Sequence, residues 1–560
     1  MMKNPRRVLL LIWLCFIARG VFYSAIFPIW EPFDEPFHFA YLQQLVQNRS
    51  IPTIATPFSR ELLESLHVLP LPWKLSQERL PQPFFSHDDY WRLSPAERER
   101  LQKQFREIPV AWSREDAVAA NLSSYESQQA PLYYLLFYFP LKWMTGFSLA
   151  SRVLLLRVFN ILLASLVVPL GYGVAHSVLK NRSLALSLLA LVAALPELFV
   201  NVSRVGNESL ALVFYTIVFY LALQIVEGPQ NFRYFPWLGV TLSLGLLAKA
   251  YFLAAIPAFF LVIAWCFWRW PGEGKNLLRK TTLATLALLL IAGPWYWRIH
   301  TLTGSWSGHT HEAALRSMSR WQMLAQVPHV NWINAGISVL LSHIWFGGWS
   351  FLKFTRPVYF FFGFIILLAA LGMGRMALLQ FRKGEKANPQ AEPGFDKLLV
   401  LLSFYAFFWL GLAYDTVVLY IRLGESASSG LYMYSLIVAE VILFYLGLSA
   451  VLSRNFRSWI LPLLTLLFAL LDLSGVHFYL IPYYSGVISH VTQDRVGAAS
   501  IPQLIRVGIP EFARRLSVNK PAFLGPVEFG VLWMAFLAAT VFLIYMTFRL
   551  RKAACAEENE

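Results

Sequence analysis

Asp34, Glu35 and His38 fall within the five-residue stretch "DEPFH", which follows closely on the first apolar run of the chain. A carboxylate at the mouth of a membrane span, partly desolvated and with cations nearby, can act as a general base or hold a divalent cation such as Mg or Mn. If a helix starts here, His38 lies four residues after Asp34 and on the same face. The same residues also read as a helix start, with Glu35 as N-cap, Pro36 at the first helical position and acidic charge at the positive end of the dipole. Glu31 is read as part of a helix end at the interface.

Two cations stand where similar chemistry would need them. Lys249 in "LGLLAKAYF" interrupts an apolar run of about thirty residues, and a lysine there is costly unless it snorkels or faces an anion. Arg298 in "GPWYWRIH" ends an apolar span among aromatic residues. Structurally, Arg298 reads as a headgroup anchor in an aromatic belt and Lys249 as the mark of an outer turn. Functionally, both read as phosphate contacts, Arg as a bidentate fork and Lys as a point charge. Asn207 and Glu208 read first as caps of the helix beginning near Ser209. Glu126 is a second candidate acid or a solvated loop residue, and His87/Asp88/Asp89 resemble a metal cluster only superficially, as adjacent loop residues that water would solvate.

The elements that must position these residues are membrane helices. Hydrophobic residues make up 57% of the 560 and charged residues only 14%, so the chain has too few charged side chains to cover its apolar surface in water. The fold class is therefore all-α and polytopic, in one bundle. The net charge of +15 does not indicate nucleic acid, because the basic residues sit in short clusters between apolar runs, as at Lys3/Arg6/Arg7, Lys275/Arg279/Lys280, Arg382/Lys383/Lys386 and Arg549/Arg551/Lys552. That is the positive-inside pattern. The three cysteines, Cys15, Cys266 and Cys555, have neither disulfide-framework nor metal-type spacing. The first span lacks a small-x-small cleavage site and reads as a retained anchor.

Residues 8–28 form the first span, and 29–130 form a large outer loop, rich in Pro and charge, with interfacial helices. Keeping the basic loops on one side makes 131–147 and 332–350 interfacial and leaves about twelve spans: 8–28, 152–178, 183–200, 209–227, 234–249, 250–270, 282–299, 357–380, 398–420, 431–452, 457–475 and 527–548. Residues 1–485 are read as the core, and 486–560 as an outer segment, last span and cytoplasmic tail. All the candidate site residues then fall at one outer face.

The ordered series "P-x-DEP-x-HF", "QQAPLYYLL", "RVLLLRVFN", "LPELFVNVSRVGNESLAL", "GLLAKAYF", "GPWYWRIH", "WFGGW" and "SGLYMY" resembles the membrane-embedded glycosyltransferases of the C fold. The closest resemblance is to bacterial members with "PPDEPAHF"-like motifs, related to the dolichyl-phosphate-mannose protein mannosyltransferases and the aminoarabinose transferases. It covers most of residues 8–485. The resemblance implies a polyprenyl-phosphate sugar donor, a glycan, lipid or protein acceptor, the plasma (inner) membrane and an active site on its periplasmic or extracellular side. It also implies that Asp34 is the essential acid with Glu35 beside it and that Lys249 and Arg298 face the lipid phosphate; His38 and Glu126, read from their own chemistry, are kept as substrate-site candidates. Relatives often read "GRY" where this chain has Gly430-Leu431-Tyr432, so Tyr432 is kept as a binding residue while an arginine is missing at Leu431; Arg422 is the nearby substitute.

The function expected is inverting glycosyl transfer, which needs a base for the acceptor proton and cations for the departing phosphate. Three rivals are a surface-polysaccharide polymerase or ligase using the late outer segment with His490, Arg495, Arg506, Arg514 and Arg515, a lipid-linked-glycan transporter, and a non-catalytic assembly subunit. A transporter would show broken helices with ionisable residues at mid-membrane.

Overall fold

A computed structural model of the chain describes residues 4–76, 84–110, 124–383, 394–492 and 495–557. Lys3, Lys386 and the start of "RLPQPFF" lie outside the described residues. Apolar runs of this length fold as helices because lipid offers no partner for backbone N–H and C=O groups. Among the described residues nine helices are long and apolar enough to cross a membrane, and two bent pairs, Arg182–Val192 with Pro196–Val202 and Pro271–Ile291 with Gly293–Thr303, bring the number to eleven.

The expected crossing missing from these eleven is 234–249, which forms the 14-residue helix Phe235–Ala248. At a rise of 1.5 Å per residue it spans about 21 Å, short of a hydrocarbon core of about 30 Å. It nevertheless returns the chain to the end from which the preceding span, Glu208–Ile225, departs: Asn207 Nδ2 donates to Ala248 O at 2.9 Å. The two stretches read as interfacial are also short helices, Leu132–Trp143 and Trp332–Ile344.

The first bend has a defined cause. Pro196 opens the second half and lacks the N–H that would continue the ladder. Arg19 of the first helix, Pro5–Ile26, donates from Nη2 to Ala194 O at 3.1 Å and to Asp472 Oδ2 at 2.7 Å, and from Nη1 to Thr540 Oγ1 at 2.6 Å. Tyr23 also donates to Asp472. One buried arginine thus ties the first span, the bend and the spans Ile460–Tyr484 and Pro526–Glu557 together. Elsewhere small residues let backbones touch: a Cβ on Gly372 would overlap the carbonyl of Gly447, and one on Gly447 would overlap that of Ala369.

The first outer loop is helical in pieces, Glu35–Asn48, Arg60–Val68, His87–Arg92 and Pro95–Glu107, the last three each started by a serine cap at Ser59, Ser86 and Ser94. Later outer segments are clamped to it. Ser350 donates from its backbone N and its hydroxyl to the buried Glu31 carboxylate at 2.9 and 3.0 Å, and His87 lies 3.1 Å from the same group. His490 Nδ1 lies 2.8 Å from Asp88 Oδ2. The opposite end holds the basic loops, where Lys397 reaches Glu227 at 2.6 Å and Glu557 accepts from the Arg182 and Ser183 backbone.

Two sequence expectations change here. Glu31 is fully buried rather than an interfacial helix end. His87 and Asp88 are buried in His–carboxylate pairs rather than solvated, while Asp89 completes the cap of Ser86. The physical reason is that late outer segments cover this loop and supply its polar partners.

Candidate active site

Asp34 is the N-cap of the Glu35–Asn48 helix, in the left-handed region with φ 57°. Asp is among the few non-glycine residues that tolerate this region, and a strained turn of this kind is a recurrent feature of functional sites. Its side chain makes no cap bond. Instead the carboxylate accepts from the Tyr125 hydroxyl, so the turn aims it away from the helix and across to residues 125–128.

Glu35 has a different place. It is the first residue of the helix rather than its N-cap, and it is fully buried in a bidentate pair with Arg157, Nε to Oε1 at 2.7 Å and Nη2 to Oε2 at 2.5 Å. Its oxygens also accept from Trp30 N at 3.2 Å and Val205 N at 3.1 Å. Arg157 donates further to the carbonyls of Ser24, Phe27 and Pro28, so the pair holds the whole 24–35 turn in shape. Neighbours in sequence, Asp34 and Glu35 thus face different surroundings, one half-exposed and one sealed.

Glu126, of the turn Tyr125–Gln128, and His38 come together with Asp34. His38 Nδ1 shares a 2.7 Å hydrogen bond with the Tyr134 hydroxyl, and its Nε2 lies 3.9 Å from Glu126 Oε2. Burial pushes the Glu126 carboxyl up to about 8, with the Asp34 carboxylate adding to the shift, and burial lowers the His38 imidazole to about 3. At neutral pH both are uncharged, so their approach is not an ion pair. Glu126 Oε2 is buried with no hydrogen-bond partner in the described structure.

The cations form the second half of the site. Lys249, at the C-terminal end of Phe235–Ala248, donates to Asn207 Oδ1 at 2.9 Å and to Glu208. Arg204 Nη2 reaches the same Glu208 Oε1 at 2.6 Å, and its Nη1 donates to the carbonyl of Phe33, next to Asp34. Arg204 and Lys249 thus bring two positive charges to the single negative charge of Glu208, leaving the cluster one charge positive. Asn207 makes no cap bond; its side chain joins Lys249 to Gln129, which lies just after the Glu126 turn. The expectation that Asn207 and Glu208 serve mainly as helix caps is corrected: desolvated cations at this end compete for their side chains and win.

Tyr432 and Tyr251 frame the lysine, with Nζ 5.9 and 5.7 Å from their ring centroids. Arg298 sits at the rim, its guanidinium 5.2 Å over the Trp295 ring, with no side-chain hydrogen bond or ion pair among the described residues. It acts on Tyr41, whose ring stacks on Tyr134 at 3.6 Å. Asp34, His38, Glu126, Lys249 and Tyr432 therefore belong to one neighbourhood, Arg298 borders it, and Glu35 supports it from behind.

Sequence reasoning did not single out Tyr125, Tyr134, Arg157 or Arg204. A signal existed for the arginines, since a charged residue in an apolar helix must be paired. For the tyrosines there was none. Among the described residues no group of three or more His, Cys, Asp or Glu could hold a metal ion by itself. Asp34, beside a Glu126 that burial holds protonated, is one carboxylate toward a Mg site of the kind that substrate phosphates complete.

Residues 133–304 match the family described as dolichyl-phosphate-mannose-protein mannosyltransferase. Over that stretch, under half of its length, the chain is similar to that family. The matched stretch contains Arg204, Lys249 and Arg298, the cations of the site, with Glu208 and the supporting Arg157, while Asp34, Glu126 and Tyr432 lie outside it. A crystal structure of ArnT from Cupriavidus metallidurans bound to undecaprenyl phosphate is similar at 13% identity and a TM-score of 0.34, over 77% of this chain and 67% of that one. Comparison with curated proteins gives no match.

Proposed function

We propose that this protein transfers a glycosyl group from a polyprenyl-phosphate donor to an acceptor hydroxyl, with inversion, on the outer side of the plasma membrane. The observation that carries the reading is the juxtaposition of a half-exposed carboxylate, Asp34, with a cation cluster, Lys249 and Arg204, that carries one positive charge in excess. Asp34 takes the proton of the acceptor hydroxyl as its oxygen bonds the anomeric carbon. The bond from that carbon to the phosphate oxygen breaks, and the lipid phosphate leaves with the electron pair toward Lys249 and Arg204. Arg298 at the rim guides the donor phosphate inward, and neutral His38 and Glu126 offer hydrogen bonds to sugar hydroxyls. A divalent cation, if used, would be held by Asp34 with the donor phosphates and would neutralise phosphate charge.

The donor class is supported by the description of the matched family, which specifies dolichyl-phosphate-mannose. The outer location is supported by the basic loops, which lie at the end opposite Asp34. The transporter reading draws on the two bent pairs and the buried Arg19–Asp472 pair. That pair is tied to Tyr23, Thr540 and the Ala194 carbonyl at the bend, which gives it a structural role.

The test is to incubate the purified full chain with a panel of polyprenyl-phosphate sugars and candidate acceptors and follow release of the lipid phosphate. Release that depends on one donor and disappears in Asp34→Asn is expected. Undiminished release by the folded Asp34→Asn protein would overturn the reading.

A further inference from the structure

The first span ends at Ile26 and the last begins at Pro526, and the two pack through Phe22, Phe529 and Phe536. At the end of this pair lies a small open-mouthed cavity, walled by Ile26, Ile29, Leu69, Trp91, Arg515 and Lys520. The turn after the first span separates it from the Asp34 site. The carbonyl of Phe27 marks the divide: Arg157 donates to it from the Glu35 side, and Lys520 donates to it from the cavity.

The charges in this cavity do not balance. Among the described residues no carboxylate pairs with Lys520. Glu35 is taken by Arg157, Glu31 by His87 and Ser350, and Glu511 by Arg514 and Arg515. Burial lowers the Lys520 ammonium well below the usual lysine range, with Arg157 acting in the same direction and the Glu35 charge opposing it. Arg515 spends Nε on Glu511 and Nη1 on the carbonyl of Ser485, and its guanidinium lies 5.5 Å over the Trp91 ring, which leaves its second terminal nitrogen unbonded among the described residues. A desolvated lysine beside an unsaturated guanidinium favours an anion with several acceptor oxygens. The apolar wall of Ile26, Ile29 and Leu69, level with the ends of two membrane helices, favours an acyl or prenyl chain attached to it.

We propose that this cavity binds a phosphate-bearing amphiphile at the membrane boundary, its phosphate on Lys520 and Arg515 and its chain along Ile26 and Ile29. The site stands apart from the transfer reaction proposed above and does not depend on it. Either a membrane lipid headgroup or a free phosphate group offers this chemistry.

The experiment uses the purified full chain in an uncharged detergent. Binding of short-chain phosphatidylglycerol is titrated against that of a diacylglycerol with the same chains, with inorganic phosphate as competitor. Phosphatidylglycerol should bind at least tenfold more tightly than the diacylglycerol, lose at least tenfold in Lys520→Gln, and recover in Lys520→Arg. Displacement by millimolar inorganic phosphate assigns the site to free phosphate groups; resistance to displacement assigns it to lipid headgroups. Should Lys520→Gln fail to fold, Arg515→Gln gives the same readout. Equal affinity for the two lipids, or unchanged phosphatidylglycerol affinity in the folded variants, would overturn the proposal. So would an equal loss in Asp34→Asn, which would place the bound lipid in the Asp34 site.

Discussion

The Tyr125 hydroxyl donates to Asp34, and the carboxyl of the next residue, Glu126, feels the charge of the same aspartate. One short turn therefore both positions the proposed base and supplies the neutral acid beside it. Tyr125→Phe removes the donor without removing the ring, which packs 4.5 Å from Phe37. The turnover number should fall about tenfold, the scale of a lost hydrogen bond to a charged group, with the melting temperature nearly unchanged. Asp34→Asn should lose about a hundredfold or more, the range for a missing general base. Steady-state transfer kinetics on the two variants check the order.

Glu35→Gln should behave in the opposite way. It leaves Arg157 fully buried without its carboxylate, a change that costs about 3–5 kcal/mol for a broken buried pair. The expected result is a lowered melting temperature and poor expression, compared with an Asp34→Asn protein that is stable and inactive. Thermal unfolding of both in one detergent separates the supporting carboxylate from the reacting one.

Glu126 carries a sign that can be checked. Its folded-state value, about 8, lies above the ordinary carboxylate value of 4.5, so burial favours the protonated form. Its stabilising contribution is complete below about pH 4.5 and fades as the pH rises through about 8, where a charge must be buried. Between pH 6 and 9.5 the melting temperature of the wild type should drop relative to Glu126→Gln. Parallel curves would contradict the assignment. His38, held near 3, should add no limb to a pH–rate profile between 5 and 7.

Lys249 and Arg298 should separate in kinetics. Lys249→Met removes a cation that the departing phosphate meets, so the turnover number should fall about a hundredfold. Arg298→Ala removes a guanidinium at the rim, so the KM for donor should rise about tenfold with little change in turnover. Initial rates over a range of donor concentrations decide this, and a reversed pattern would exchange their roles.

The sequence by itself determined the membrane architecture, because helix formation in lipid depends on local runs of apolar residues and on backbone groups that pair within the helix. It also gathered the candidate site residues at one end, since basic loops on one side leave the other polar clusters together. Asp34, Lys249 and Arg298 were legible as ionisable residues that apolar surroundings make costly. Only the tertiary structure decided what each one meets. Asp34 and Glu35 are adjacent in sequence, yet a left-handed turn points one to Tyr125 and the other to Arg157, a choice set by partners 91 and 122 residues away. Likewise Asn207 and Glu208 have the pattern of helix caps. They are drawn into the site because Lys249 and Arg204, brought there by packing, offer stronger hydrogen bonds than the helix end does. Periodicity encodes the helices locally, whereas ion pairing between distant segments depends on which helix ends the packed bundle brings together.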